Sequence, residues 1–124
     1  MRLRLVLQPQ RVAVCRLAPD AAIPAWARGA FVSITRTHAE LSIICDAENV
    51  ADDVVADRGW RLFELVGPFA FEVTGVAASL SNALASNGIS LLLIATYDTD
   101  YLLVKEELLE RATNALRQAG HDVS

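Results

Sequence analysis

Residues 73–104 read VTGVAASLSNALASNGISLLLIATYDTDYLLV, and the fold turns on this stretch. Val73, Val76, Ala77, Leu80 and Leu84 recur at steps of three and four, the apolar stripe of an amphipathic helix. Thr74 is placed to cap its start, and Gly88, after Asn87, to end it. Ile89 to Thr96 is apolar on both faces, as a central strand requires. Tyr97-Asp98-Thr99-Asp100 forms an acidic corner, and Tyr101 to Val104 returns as a second strand.

Working outward, a last helix spans about Glu106 to Ala119, with Leu109, Ala112, Leu116 and Ala119 on one stripe. Glu106, Glu107 and Glu110 in its first turns suit the helix dipole, and Gly120 ends it. Upstream, Trp60 to Val66 alternates as a strand and stops at Gly67-Pro68. Phe31 to Thr35 and Leu41 to Cys45 make a hairpin around residues 36–40, and Asp46 is placed to cap a short helical turn reaching Val50. Arg11 to Leu17 alternates as a strand, whereas Ala21 to Arg28 is at most a short helix interrupted by Pro24. Leu3 to Leu7 is a further strand that Pro9 ends, because proline lacks the donor a central strand needs.

The two hairpins echo one another. Laying residues 34–49 on residues 94–109, a shift of 60 positions without a gap, puts Ile34 on Ile94, Glu40 on Asp100 and Asp46 on Glu106. Each half then runs strand, helix, strand, strand, helix. Such units with right-handed crossovers build a ferredoxin-like layer, an antiparallel sheet with helices on one face. The expected class is α+β with two ferredoxin-like halves, the first with reduced helices. The pattern leaves open whether the sheets join and how the strand at Leu3 to Leu7 pairs.

The totals exclude several functions. A 124-residue chain is one domain's worth, and 53% hydrophobic against 21% charged residues supplies a core without a disordered tail. The net charge of −4 and scattered basic residues argue against nucleic acid. The N-terminal MRLRLVLQPQ lacks a signal peptide's apolar stretch, and no apolar run reaches the roughly 20 residues that span a bilayer. A cytoplasmic protein with Cys15 and Cys45 reduced is expected. His38 and His121 have no Ser or Cys partner in a recognisable catalytic arrangement, so no enzyme is expected. The carboxylates lack the glycine-centred spacing of a calcium loop, and no phosphate-loop or dinucleotide fingerprint occurs, so neither metal nor cofactor is expected.

The run from Val73 to Ser90, followed by IATYDTDYLLV at 94–104, resembles an ACT domain. It is similar in particular to tandem-ACT proteins related to the regulatory region of aspartate kinase and to cytosolic arginine sensors. With FVSITRT at 31–37 and LSIIC at 41–45, the resemblance covers roughly residues 11 to 120. It divides the chain into a degenerate N-terminal ACT-like half, 1–58, and a C-terminal ACT domain, 59–124. It also implies binding of amino acids or similar ligands between ACT units, and frequent dimerisation. Carried onto this chain, the binding loop is Phe71, Glu72, Val73, Thr74, Gly75 and Val76. The facing segment is Ile94, Ala95 and Thr96 with Asp98 and Asp100. Regulators of this type are commonly fused to an enzyme or another module; this chain carries none, which leaves the regulated protein open.

The residues suit that reading physically. Backbone N–H groups at a helix start are unsatisfied and can receive a carboxylate, and Gly75 removes the side chain that would block the approach. Alternatively, Gly75 serves helix–sheet packing. Asp98 and Asp100 suit an ammonium or guanidinium, or else form a solvated hairpin corner. The expectation is non-catalytic binding of a small ligand, an amino acid, by a homodimeric sensor or regulatory module. The alternative is a structural dimerisation module without a ligand. The site is expected at a seam, with the second edge supplied by Phe31 to Cys45 or by another chain.

Overall fold

Period-two and helical patterning resolve into seven strands and two α-helices in a computed structural model that describes residues 1–70 and 72–124. In order these are β1 (Arg4–Leu17), β2 (Val32–Arg36), β3 (Leu41–Asp46), a 3-10 turn at Ala47–Asn49, and β4 (Ala56–Leu65). Then come α1 (Val76–Ala85), β5 (Leu92–Ala95), β6 (Asp100–Lys105), a second 3-10 turn at Glu106–Leu108, α2 (Leu109–Gln118) and β7 (Asp122–Val123). The class is α+β. The chain divides into two compact units, Gln10–Trp60, and Met1–Pro9 together with Arg61–Ser124.

In the Gln10–Trp60 unit, β3 pairs antiparallel with both β2 and β1. Ala13, Cys15, Leu41, Ile43, Cys45 and Val50 form its core, with Trp26, Ala21, Ala27 and Val54 packed against them. No helix forms over residues 18–31. Pro19 and Pro24 deprive the segment of helical donors, and side chains hold its backbone instead. The Arg36 guanidinium donates to the carbonyls of Pro19 and Ala21, and Asn49 donates to the carbonyl of Arg28 at 2.8 Å. Asp46 does not cap the following turn as its position suggested. Its buried carboxylate accepts the N–H of Ala30 at 3.1 Å, because the missing helix leaves that donor within reach.

In the other unit, β6 lies between β4 and β5, while β1 has β4 on one side and β7, in parallel, on the other. One face of this sheet contributes Leu3, Leu5, Phe63, Leu65, Leu102 and Val104 to a core. Val76, Leu80 and Leu84 of α1 and Ala112, Ala115 and Leu116 of α2 complete it. Each helix ends on a left-handed glycine. Gly88 (φ 68°) and Gly120 (φ 96°) let the next N–H, of Ile89 or His121, bond back to Leu84 or Leu116.

Two local expectations fail. Pro9 does not end the first strand. The N–H of Leu7 donates to Ser124, whereas pairing with β3 begins only at Val12, so Pro9 falls between the two partners on that edge of β1. The repeat is displaced by 59 positions, not 60. The closing hairpin pairs are Arg36 with Leu41 and Ala95 with Asp100. This register superposes Ile43 and Cys45 on Leu102 and Val104, all core-facing. A slip of one residue would exchange the faces.

His121 joins three elements of this unit. Its Nδ1 accepts the N–H of Leu3 at 3.1 Å, and its Nε2 lies 3.0 Å from Ser79 Oγ on α1. Burial, and secondarily the positive charge of the chain's N-terminus, lowers its pKa from 6.5. The folded chain therefore resists a proton that the unfolded chain accepts. The stability this group confers is full above pH 6.5 and is lost as the pH falls through the depressed folded value. We expect the denaturation midpoint to decline from pH 7.5 to pH 5, with that part of the decline absent in His121→Leu. At pH 7.5 the variant should be less stable by about 1–3 kcal/mol, the cost of an unpaired buried donor, as measured by urea titration.

Candidate functional site

A left-handed turn opens α1. Gly75 (φ 88°, ψ −5°) occupies the N-cap position, no side chain caps the helix, and the first helical bond runs from Ser79 N–H to the Gly75 carbonyl at 2.9 Å. Thr74 is thus not the cap: the helix starts one residue later, at a conformation a β-branched residue disfavours. The N–H groups of Val76, Ala77 and Ala78 have no intrahelical acceptor. These three residues line a cleft of about 490 Å³.

The opposite wall is the corner between β5 and β6. Strand pairing sets Ala95 against Asp100 and Leu93 against Leu102, so these residues share the core-facing side. Asp100 therefore faces the helix, and Ile94, opposite Tyr101, faces the other way. The corner closes on itself. Thr96 donates to the Thr99 carbonyl through both its N–H and its hydroxyl, each at 2.8 Å. The segment between β4 and α1 then lies against it, with Phe69 N–H donating to the Asp98 carbonyl at 2.8 Å and Thr99 Oγ1 to the Leu65 carbonyl at 2.8 Å.

Of the residues expected from sequence, the cleft brings together Val73, Gly75, Val76, Ala95, Thr96, Asp98 and Asp100. Glu72 lines an adjoining shallower hollow, Thr74 and Ile94 line neither, and Phe71 lies outside the described residues. Sequence reasoning missed Ala77 and Ala78 at the helix start, Tyr97 and Thr99 at the corner, and Phe69 and Ala70 between them. The first two had a signal in the unpaired donors of an N-terminal turn; Phe69 and Ala70 had none, since only tertiary packing returns that loop to the corner.

The cleft therefore offers backbone donors at one end and two carboxylates at the other, with no Lys, Arg or His among its lining residues. An anionic group suits the first and a cationic group the second. A nucleophile–base reading fails at the one Ser–His pair described. Because Nδ1 of His121 accepts from Leu3, Nε2 carries the proton and donates to Ser79 Oγ, leaving no lone pair there to activate the hydroxyl. Both cysteines are buried, and burial raises each thiol pKa, which disfavours the reactive thiolate. Among the described residues no three His, Cys, Asp or Glu side chains gather as metal ligands, and no helix is long and apolar enough to cross a membrane.

A family model described as an ACT domain matches residues 55–118, and a model of an N-terminal domain matches residues 10–53. The Bos taurus cytosolic arginine sensor for mTORC1 subunit 1 is 29% identical over 105 residues, covering 76% of this chain and 32% of the sensor. The chain thus spans about a third of that relative's length. A crystal structure of a protein from Agrobacterium tumefaciens is 42% identical, with a TM-score of 0.94 over 100% of this chain and 93% of that one. The regulatory subunit of aspartate kinase from Thermus thermophilus shares the fold, with a TM-score of 0.65 at 15% identity over 93% of this chain and 96% of that one.

The uncapped helix start makes a sharp prediction for Thr74. Thr74→Ala should change the unfolding free energy by less than about 0.5 kcal/mol, as at an ordinary surface position. Loss of a capping side chain would cost about 0.5–2 kcal/mol in the same urea titration.

Proposed function

The chain belongs to the ACT domain family, and on that premise we propose that it is a non-catalytic amino-acid-binding module acting as a sensor or regulator. The observation that carries this is the two-ended cleft of about 490 Å³, lined by Val76, Ala77 and Ala78 at the uncapped start of α1 and by Asp98 and Asp100 at the β5–β6 corner. An α-carboxylate fits the helix start. The α-ammonium fits the aspartates, and two carboxylates without a nearby basic residue favour a ligand with a second positive charge. The proposed binding residues are Val73, Gly75, Val76, Ala95, Thr96, Asp98 and Asp100 in the cleft and Glu72 in the adjoining hollow, whereas Thr74 and Ile94, expected from the sequence, line neither. The name of the bovine relative, an arginine sensor, supports the same ligand class. In this reading the protein works in the cytoplasm as a homodimer, a second edge completes the site, and the regulated protein is an enzyme or signalling partner.

A structural dimerisation module is the second reading. Val32 and Ile34 on edge strand β2 are each 40% exposed, which suits strand pairing with another chain. Calorimetric titration with the twenty L-amino acids separates the two. We expect at least one to bind, and Asp100→Ala to weaken it roughly ten- to hundredfold through loss of a charged hydrogen bond. A panel without any binder, and a melting temperature indifferent to all twenty, would leave the dimerisation reading in place.

A further inference from the structure

The segment between β4 and α1 touches the acidic corner more tightly than chain connectivity requires. Gly67 packs so closely that a Cβ added there would meet the Asp98 carbonyl oxygen and the Thr99 Cβ at 3.0 Å each. Its φ is not in the left-handed region, so space, and not backbone conformation, is what excludes a side chain. Beside this contact Thr99 Oγ1 donates to the Leu65 carbonyl, and Phe69 N–H donates to the Asp98 carbonyl, both at 2.8 Å. Three contacts thus clasp the corner bearing Asp98 and Asp100 to the chain that runs into the start of α1.

We infer that Gly67 and Thr99 are positioning residues, which fix the distance between the carboxylates and the helix start and so set the length of ligand the cleft accepts. The inference rests on the ligand-binding reading above. The anion-binding end belongs to α1 and the cation-binding end to the β5–β6 corner, and α1 is entered from β4 through the segment that follows Leu65. The contacts at Leu65, Gly67 and Phe69 fasten the first residues of that segment to the corner and so limit how far the corner moves relative to it. A methyl at position 67 must displace the corner by a few tenths of an ångström. Loss of the Thr99 hydroxyl removes one of the three contacts without deleting either cleft carboxylate.

L-lysine and L-arginine differ in reach beyond the α-carbon, so their ratio of dissociation constants reads the separation directly. Calorimetry on the full chain should show Thr99→Val binding its better ligand roughly three- to tenfold more weakly, the worth of one hydrogen bond, with the lysine-to-arginine ratio changed. Thr99→Ser should restore both values, and Gly67→Ala should shift the ratio again. Equal weakening of both ligands that Thr99→Ser fails to restore would mark a merely structural role and overturn the inference. Binding unchanged in Thr99→Val and Gly67→Ala would overturn it while the ligand-binding reading stands; binding of neither ligand by the wild-type chain would overturn it at once, while the twenty-residue panel separately decides the broader reading. Hydrogen exchange at the Phe69 amide provides a second measurement that needs no ligand. It should be protected in the wild type and faster in Thr99→Val, and an unprotected amide in the wild type would also overturn the inference.

Discussion

Everything at the cleft depends on one strand register, Ala95 opposite Asp100. Side chains in a strand alternate sides, so this pairing places Asp100 with Leu102 and Val104 on the face covered by the helices. Had the hairpin closed one residue later, Tyr101 would face α1 and the carboxylate would point away from it. The register is held by Leu102 and Val104, which are fully buried in the helix-covered core, and by the Thr96–Thr99 closure of the corner. A polar feature is thereby fixed by an apolar constraint several residues away.

The Gln10–Trp60 unit shows the same hairpin closure under different cover. Thr37 N–H donates to the Glu40 carbonyl at 2.9 Å, as Thr96 does to Thr99, and the core-facing positions of β3 match those of β6. Where the other unit has α1, this one has a proline-bearing loop strapped by Arg36, Asn49 and Asp46. A helix satisfies its own backbone, whereas a loop over a sheet needs side chains to do so. No helix start occurs there, and so no row of unpaired donors faces the Thr37–Glu40 corner.

Much of this was legible in the residues. The stripe Val76, Leu80, Leu84 and the stripe Ala112, Leu116 gave both helices, and the glycines at 88 and 120 gave their ends, because helical spacing and left-handed termination are local properties. Seven of the thirteen described residues lining the cleft were named from the sequence, because a helix start and a run of aspartates are local features, and six were not. The misreadings share one cause. Thr74 has a capping side chain and Gly75 does not, yet the helix begins after the glycine because the chain enters α1 through a left-handed turn. Asp46 looked like a cap and instead holds Ala30, a residue 16 positions away.

The sequence by itself determined the class, the two amphipathic helices, the hairpins and the family, since each is written in spacing that a short window contains. Tertiary structure alone decided that the first strand runs on through Pro9, that β7 exists beside it, and that Phe69 and Thr99 join Asp98 at the cleft. It also moved the repeat from 60 positions to 59. Those outcomes follow from which backbone donors and acceptors meet across the fold, and the partners in a long-range hydrogen bond leave no periodic trace in the residues between them.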